Sequence, residues 1–424
     1  MFGRRGAAMS FIFVTVVLDM LALGIIIPVW PNLVKSFTGA SDATASLAIG
    51  AMSVMWAVGQ FFAAPILGVL SDRFGRRPVI LASNIGTAID YAIMALAPAI
   101  SWLYFGRILS GVMAASIPTA SAYVADVTPV EKRAGAYGMI GAAFGIGFVV
   151  GPALGGWLGG FDARLPFWVA AGFGVANFLY GLFVLPESLR PEARRARFEW
   201  RRANPVGSLR LLRSHPELFG IATVALLGYI AHEVYTTVYV LYGQYRYGWN
   251  TATLGLGLAI VGISSAIVTA GLSQKTVDAL GARKALIAGL FFGGVGFALF
   301  GSASAMVFWI AIPINSLWGI AGSAEQVYMT KRVRPDEQGE LQGALGSLRS
   351  LAMIGAPMLF AGIFAYFIKG GGSIVFPAAP WYLAAAIVLG SILVAWRVTS
   401  KTHDHIGPQE MAVSFEQSLP ADIP

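Results

Sequence analysis

Six ionisable side chains stand inside or at the edges of long apolar runs of this sequence: Asp19, Asp90, Arg107, Glu233, Glu325 and Arg349, with His232 beside Glu233. A charge at the centre of a bilayer costs about 2.5 to 3.5 kcal/mol even on lenient insertion scales. A carboxylate held out of water can load a proton from one side and lose it to the other, so it couples proton movement to any ligand that competes for it. Asp19, Asp90, Arg107 and Glu233 are read as proton-coupling candidates. The structural alternative is that Arg107 and Arg349 neutralise acids across a helix bundle and fix its rotation. Glu325 and Arg349 lie nearer the ends of their runs, and for them the two readings are balanced. Tyr229, Tyr235 and Tyr239 offer π faces to a flat or cationic ligand. Tyr229, Tyr235, His232, Glu233, Glu325 and Arg349 are therefore candidates for a substrate cavity, with core packing or interfacial anchoring as the alternative for the tyrosines.

The elements that must position these groups follow from composition. Hydrophobic residues make up 57% and charged residues 12% of the chain, and mean hydropathy is +0.70, which is membrane composition rather than that of a soluble domain. Residues 43 to 71 contain no Asp, Glu, Lys or Arg, and about 20 apolar residues already span the hydrocarbon core. Apolar spans are predicted near 8–30, 44–68, 78–97, 101–124, 135–159 and 166–185, and then near 218–241, 252–273, 284–301, 304–329, 341–367 and 375–396. The first is longer than a signal-peptide core and reads as a retained anchor. The pattern predicts an all-α membrane protein of twelve helices in two six-helix bundles, at 1–185 and 218–397. A basic cytoplasmic linker at 186–217 and a polar cytoplasmic tail at 398–424 complete it. The linker suits contact with lipid headgroups.

Orientation follows from the basic residues. Of 29 Lys and Arg, 23 fall at the termini and in the loops on one side; only Lys35, Arg164, Arg246 and Lys369 fall on the other. The positive-inside rule then puts both termini in the cytoplasm. The same distribution explains the net charge of +8 without nucleic acid, because the basic residues crowd short loops beside membrane spans. The chain has no cysteine, which excludes disulfides and thiolate metal sites. No GxxxxGK[ST] loop occurs, and no cofactor or metal is expected.

A repeat runs through the chain. Asp72, Gly75 and Arg77 in DRFGRR recur as Asp278, Gly281 and Arg283, each 206 residues on. Pro129 and Glu131 recur as Pro335 and Glu337 at the same offset, and Pro152 finds Pro357 one residue out of step. Two parallel six-span halves are an arrangement that secondary transporters use to rock around a central site. A transporter of small molecules is favoured over an enzyme or a receptor.

GVLSDRFGRRPV, from Gly68, resembles the loop between spans two and three of the major facilitator superfamily. GRILSGVMAA, from Gly106, is similar to that superfamily's span-four motif, and GIGFVVGPALGG, from Gly145, resembles the span-five signature of its drug:proton antiporters. LDMLALGIIIPVWP, AIDYAIMA, AYVAD and ELQGAL are similar to the tetracycline/proton antiporter group. The resemblance implies a proton-coupled exporter of amphipathic molecules, acting as a monomer in the bacterial inner membrane, with import or facilitated passage of a solute as the alternative. It implies a conformational latch of Asp72, Gly75, Arg76 and Asp126, functional roles for Asp19, Asp90 and Arg107, and a seam at Gly147, Gly151, Pro152 and Gly155. The seam's other reading is a close-packing surface. The second half departs from the group: Ser265 stands where the antiporters carry a His and Gly293 where they carry an Asp, while Glu233 and Arg349 are additional charges. These departures lean the expected substrate toward amphipathic cations or zwitterions rather than tetracycline.

Overall fold

The computed structural model describes residues 2–114, 116–128, 133–189, 194, 216–302, 304–333, 337–369 and 374–400. Most of the linker and tail predicted at 186–217 and 398–424, and the Pro129–Pro335 correspondence, lie outside the described residues.

Every described element is helical, as hydrocarbon demands of a chain that must satisfy its own backbone polar groups. The first half comprises α1 (Phe2–Ile26), α2 (Trp30–Phe37), α3 (Asp42–Phe74), α4 (Arg76–Leu96), α5 (Ile100–Met113), α6 (Ser116–Val127), α7 (Arg133–Leu158) and α8 (Leu165–Phe183). The second comprises α9 (Pro216–Tyr247), α10 (Thr251–Ile267), a π-helical turn (Val268–Ser273), α11 (Gln274–Phe300), α12 (Ala305–Ser316), α13 (Gly319–Thr330), α14 (Gln338–Ile368) and α15 (Ala379–Ser400).

Eleven apolar helical stretches are long enough to cross a membrane, and one of them, Thr251–Phe300, has 50 residues. That is about 75 Å of helix at 1.5 Å per residue, twice what a single crossing needs. Gly281 divides it, with φ 78° and ψ 157° inside α11. Gly75, its partner in the repeat, has φ 107° and ψ 163° between α3 and α4. Both lie in a backbone region that is essentially closed to side-chain-bearing residues, so the glycines mark the same reversal in each half. Twelve crossings result.

Two predicted spans are broken. The fourth is divided between α5 and α6, and the tenth between α12 and α13 at Leu317 and Trp318. Pro118 lacks the N–H that would bond the carbonyl of Ala114, where α5 ends. The short α2, between the first two crossings, buries Pro31, Leu33 and Val34.

Helices α1 and α3 to α8 pack among themselves, as do α9 to α15. The two groups meet chiefly along α3 against α14 and α7 against α10. Capping side chains mark one end of the molecule: Ser41 Oγ accepts from Thr44 N at 3.3 Å, and Asn250 Oδ1 from Thr253 N at 2.8 Å.

Candidate functional site

In the first bundle α4 and α5 place a carboxylate and a guanidinium together. Arg107 donates from Nη2 to Asp90 Oδ2 at 2.6 Å, and the Asp90 side chain is wholly buried. Gly106 makes the room: a Cβ there would stand 2.5 Å from Asp90 Oδ1. The far side of the guanidinium lies over the Trp30 ring, 5.2 Å from its centroid, and Trp30 packs on Phe167. Asp90 Oδ1 and Arg107 Nε are buried without a hydrogen bond among the described residues. Tyr91 feels the charges of Asp19, Asp90 and Arg107 together, so these three candidates share one neighbourhood although they come from three helices. Glu233 stands elsewhere, in the second bundle.

There α9 carries the candidates. Glu233 is 7% exposed, and its Oε2 accepts from Thr236 Oγ1 at 2.9 Å. Tyr235 donates to Asn315 Oδ1 at 2.6 Å and sits within an aromatic core of Phe297, Phe300 and Trp381. Its hydroxyl is satisfied inside the bundle. His232 is exposed and Glu325 is half-buried. Arg349 is exposed and acts electrostatically on Tyr229, His232 and Glu233.

At the Gly75 end, Arg76 gathers three partners. Its Nη1 donates to Asp72 Oδ1 at 2.6 Å and Ser71 Oγ at 3.0 Å, and its Nε donates to Asp126 Oδ2 at 3.0 Å. Ser188 Oγ adds a bond to Asp126 at 2.9 Å. Glu187 accepts from the backbone N–H groups of Arg76 and Arg77 at 2.9 and 3.2 Å, placing a carboxylate on the positive end of α4. Arg77 in turn donates to the carbonyls of Gly181 and Leu182 at the end of α8. The predicted latch residues therefore meet, and these bonds tie α3, α4, α6 and α8 within the first bundle.

Residues 12–357 match the Major Facilitator Superfamily. The chain belongs to that superfamily. It is 37% identical over 389 residues to the class C tetracycline resistance protein of Escherichia coli, covering 91% of this chain and 96% of the relative. To the class G tetracycline resistance protein of Vibrio anguillarum it is 38% identical over 354 residues, covering 82% and 88%. Its fold matches the human organic anion transporter MFSD10 with a TM-score of 0.69 at 22% identity, covering 92% of this chain and 99% of that one. The nucleoside transporter NupG matches with a TM-score of 0.72 at 14% identity, covering 93% and 98%.

As a member of this superfamily the chain is a multi-pass membrane transporter of small molecules, and its glycines show how the halves close. Gly147, Gly151 and Gly155 recur every four residues on α7, and that face packs on α1: a Cβ at Gly151 would lie 2.7 Å from Gly24 Cα. The other face of α7 meets the second bundle, where Gly156 and Gly255 approach so that a Cβ on either would stand 3.1 Å from the other's Cα. The span-five stripe is thus a close-packing surface within the first bundle, and Pro152, Gly156, Phe148 and Val149 form the seam with α10.

All these cross-bundle approaches lie in the half nearest Lys35. Gly50 abuts Ala361 and Pro357, and Ser46 Oγ donates to Ala361 O at 3.1 Å. Beyond them Gln244 on α9 accepts from Lys35 Nζ at 2.7 Å and donates to Asn32 Oδ1 at 2.6 Å, while Lys35 also pairs with Asp42. Along the same helices Gly68, Gly138, Gly145 and Gly346 have no atom within 4 Å of a would-be Cβ, and nor do Gly355 and Gly362 nearer the Lys35 end. Glu187, Trp30, Lys35 and Gln244 take parts that no spacing in the sequence marks. Lys35 is the partial exception, as one of few basic residues on its side.

Proposed function

We propose that this transporter exports amphipathic small molecules in exchange for protons, by rocking its two bundles about a central cleft. The observation that carries the reading is the wholly buried Asp90 carboxylate held by Arg107, with Asp19 in the same electrostatic neighbourhood. A buried carboxylate on a cation can stay ionised while paired and take a proton when the pair is separated. The switch requires a rearrangement that moves Arg107 relative to Asp90, and α5 ends only two turns beyond Arg107, at the break in the fourth crossing. Discontinuous helices line sites of this kind in secondary transporters.

The distribution of basic residues supports a cytoplasmic Gly75 end and cytoplasmic termini, in a bacterial inner membrane, with the linker 186–217 at the lipid headgroups and the protein acting as a monomer. In that orientation the seam and the Lys35–Gln244 clasp seal the external side, and the cleft faces the cytoplasm. Cargo would enter from there, as export needs. The tetracycline resistance relatives make tetracycline the first compound to assay. The Asp72–Arg76–Asp126 network would act as the latch, its ion pairs trading between bundle arrangements.

The test is uphill accumulation of labelled compounds by reconstituted vesicles under an imposed pH gradient. The wild type accumulates cargo; Asp90→Asn and Asp19→Asn abolish gradient-driven accumulation but retain exchange of labelled for unlabelled cargo. Full gradient-driven accumulation by both variants and by the double variant refutes the assignment.

A further inference from the structure

Helix α2 stands between the buried ion pair of the first bundle and the clasp that ties it to the second. The chain leaves α1 at Ile26 and re-enters a helix at Trp30, with Pro31 in the first turn, where its missing N–H costs nothing. Each residue of a helix is turned by about 100° from the one before. Trp30 therefore lies on one face of α2, and Asn32 and Lys35, three residues apart, share the opposite one.

The contacts follow these faces. On the first, the Trp30 ring lies against the Arg107 guanidinium, 5.2 Å from centroid to Cζ, and packs on the wholly buried Phe167. On the second, Asn32 Oδ1 accepts from Gln244 Nε2 at 2.6 Å, and Lys35 Nζ donates to Gln244 Oε1 at 2.7 Å. Pro31, Leu33 and Val34 are buried, so the helix is seated as one piece. It is about 12 Å long at 1.5 Å per residue.

The same guanidinium donates to Asp90 Oδ2 at 2.6 Å. Asp90 and Trp30 thus fix the position of Arg107 between them, and any step that parts Arg107 from Asp90 alters the surface on which Trp30 rests. At the far face Lys35 also pairs with Asp42, the first residue of α3. One turn further along α3, Ser46 is sealed against α14, its Oγ donating to Ala361 O at 3.1 Å. An unbroken run of contacts therefore joins the buried carboxylate to the seal between the bundles, the physical form that coupling between separate sites can take.

We propose that α2 is a lever through which the Asp90–Arg107 pair holds the bundles shut at the Lys35 end. With the pair closed, Trp30 is seated on its cation and Gln244 is clasped; with the pair parted, Trp30 loses its cation and the clasp is released. Trp30 is the positioning residue, acting through Arg107 on one side and Gln244 on the other. Linkage makes the effect mutual, so that opening the clasp loosens the pair to the same degree. The inference rests on the reading of the pair as one that parts during transport.

The chain has no cysteine, so Ser46→Cys alone reports the state of the seal. Its rate of labelling by a maleimide is measured on the purified full-length protein at one pH, without cargo or gradient. Asp90→Asn removes the charge that holds Arg107 and is expected to raise the rate about fivefold, the population shift that one partly buried cation–π contact commands. Trp30→Leu is expected to raise it to a similar extent, and Asp90→Asn added to Trp30→Leu to raise it no further, because the lever is already cut. Trp30→Phe keeps a ring for the guanidinium and should keep the response to Asp90→Asn. Thermal melts confirm the fold of each variant. Where Trp30→Leu folds poorly, Gln244→Leu cuts the lever at its other end and should likewise abolish the response to Asp90→Asn.

An Asp90→Asn rate at or below that of the Ser46→Cys parent, a Trp30→Leu rate equal to the parent's, or effects that multiply in the double variant would each overturn the proposal. Gradient-driven accumulation by the same preparations keeps the two readings apart. Accumulation lost in Asp90→Asn without the labelling pattern refutes the lever alone. The labelling pattern with full accumulation in Asp90→Asn, in Asp19→Asn and in the double variant refutes proton coupling alone.

Discussion

Gly75 and Gly281 are the same turn built twice, with different surroundings. Both hold a backbone that only glycine takes without strain, and both are followed two residues later by an arginine that reaches the last helix of its own bundle. Arg77 bonds the end of α8, and Arg283 lies over the Trp396 ring of α15, 5.1 Å from its centroid. Around Gly75, however, Arg76 joins Asp72 to Asp126 and Glu187 crowns α4. At the repeat offset, Ala282 replaces Arg76 and Arg332 replaces Asp126. Asp278 is left with a bond from Gln274 at 2.7 Å. The duplication preserved the reversal of the chain, which the fold cannot lose, and among the described residues the ion network stands at Gly75 and not at Gly281. The bundle interiors differ in the same sense: the first pairs its charges and the second spreads them.

The largest expected difference between the halves is in those interiors. Removing one partner of a buried ion pair typically costs about 3 to 5 kcal/mol, since the other charge is left alone. Arg107→Ala strands Asp90 and should lower the melting temperature sharply. Arg349→Ala breaks none of the ion pairs among the described residues and should melt within a degree or two of the wild type. Equal melting of the two variants would remove the contrast between a closed pair and an open one.

Next come the glycines. A side chain forced into this backbone region costs about 1 to 3 kcal/mol, a cost shared by Gly75→Ala and Gly281→Ala. The first also drives a methyl into the Glu187 carboxylate, whereas the second meets no atom within 4 Å. Gly75→Ala should therefore be the more destabilised, and Gly75→Ala combined with Glu187→Ala should recover only part of the difference, because the α4 cap is lost with the clash. Denaturation in mild detergent reads both. A Gly281→Ala loss as large as that of Gly75→Ala would mean that the network adds nothing to the turn.

How much of this was legible in the sequence depends on the range of the forces involved. The twelve crossings, the repeat and the intramembrane charges are local or periodic properties, and hydropathy marks them directly. The ends of the helices are not. The second span was predicted at 44–68 but α3 runs over Asp42–Phe74, since a helix continues into water past the apolar run that hydropathy detects. Glu187 lies more than a hundred residues from the N–H groups it caps, and Trp318 fills a gap between two helices that no periodicity relates. Gly293 reads in sequence as a missing acid. In the structure it is the floor on which an indole rests.

The clasp at the other end offers a smaller effect. Gln244→Leu removes both carboxamide bonds, the neutral one to Asn32, of a kind that contributes about 0.5 to 1.5 kcal/mol, and the one from the Lys35 ammonium, which keeps its pairing with Asp42. It should raise labelling of a cysteine introduced on the sealed side, for instance Ser46→Cys, by several-fold, while leaving the melting temperature nearly unchanged. By contrast Arg76→Ala should slow turnover and leave equilibrium affinity for cargo intact, since its partners lie far from the cleft. Unchanged Ser46→Cys labelling would mean that the glycine seam alone keeps that end shut.

The smallest effect expected is also the one that asks most directly why the two turns diverged. Ala282→Arg restores the residue that organises the first turn, and the new guanidinium would stand four residues after Asp278, as Arg76 stands after Asp72. An exposed pair of this spacing is worth only about 0.3 to 0.5 kcal/mol. The third corner of the network is reversed in sign, because Arg332 stands at the offset position of Asp126 and is already occupied with Tyr328, its guanidinium 3.4 Å from the ring centroid. Ala282→Arg alone should therefore be neutral or slightly destabilising, as the new cation meets an old one. Ala282→Arg with Arg332→Asp should recover a few tenths of a kcal/mol beyond the sum of the single changes, a coupling that a double-mutant cycle resolves. If instead the single Ala282→Arg change already stabilised the second turn, the charge at position 332 would not be what keeps the two copies apart. The loss of the network would then rest on residue 282 alone.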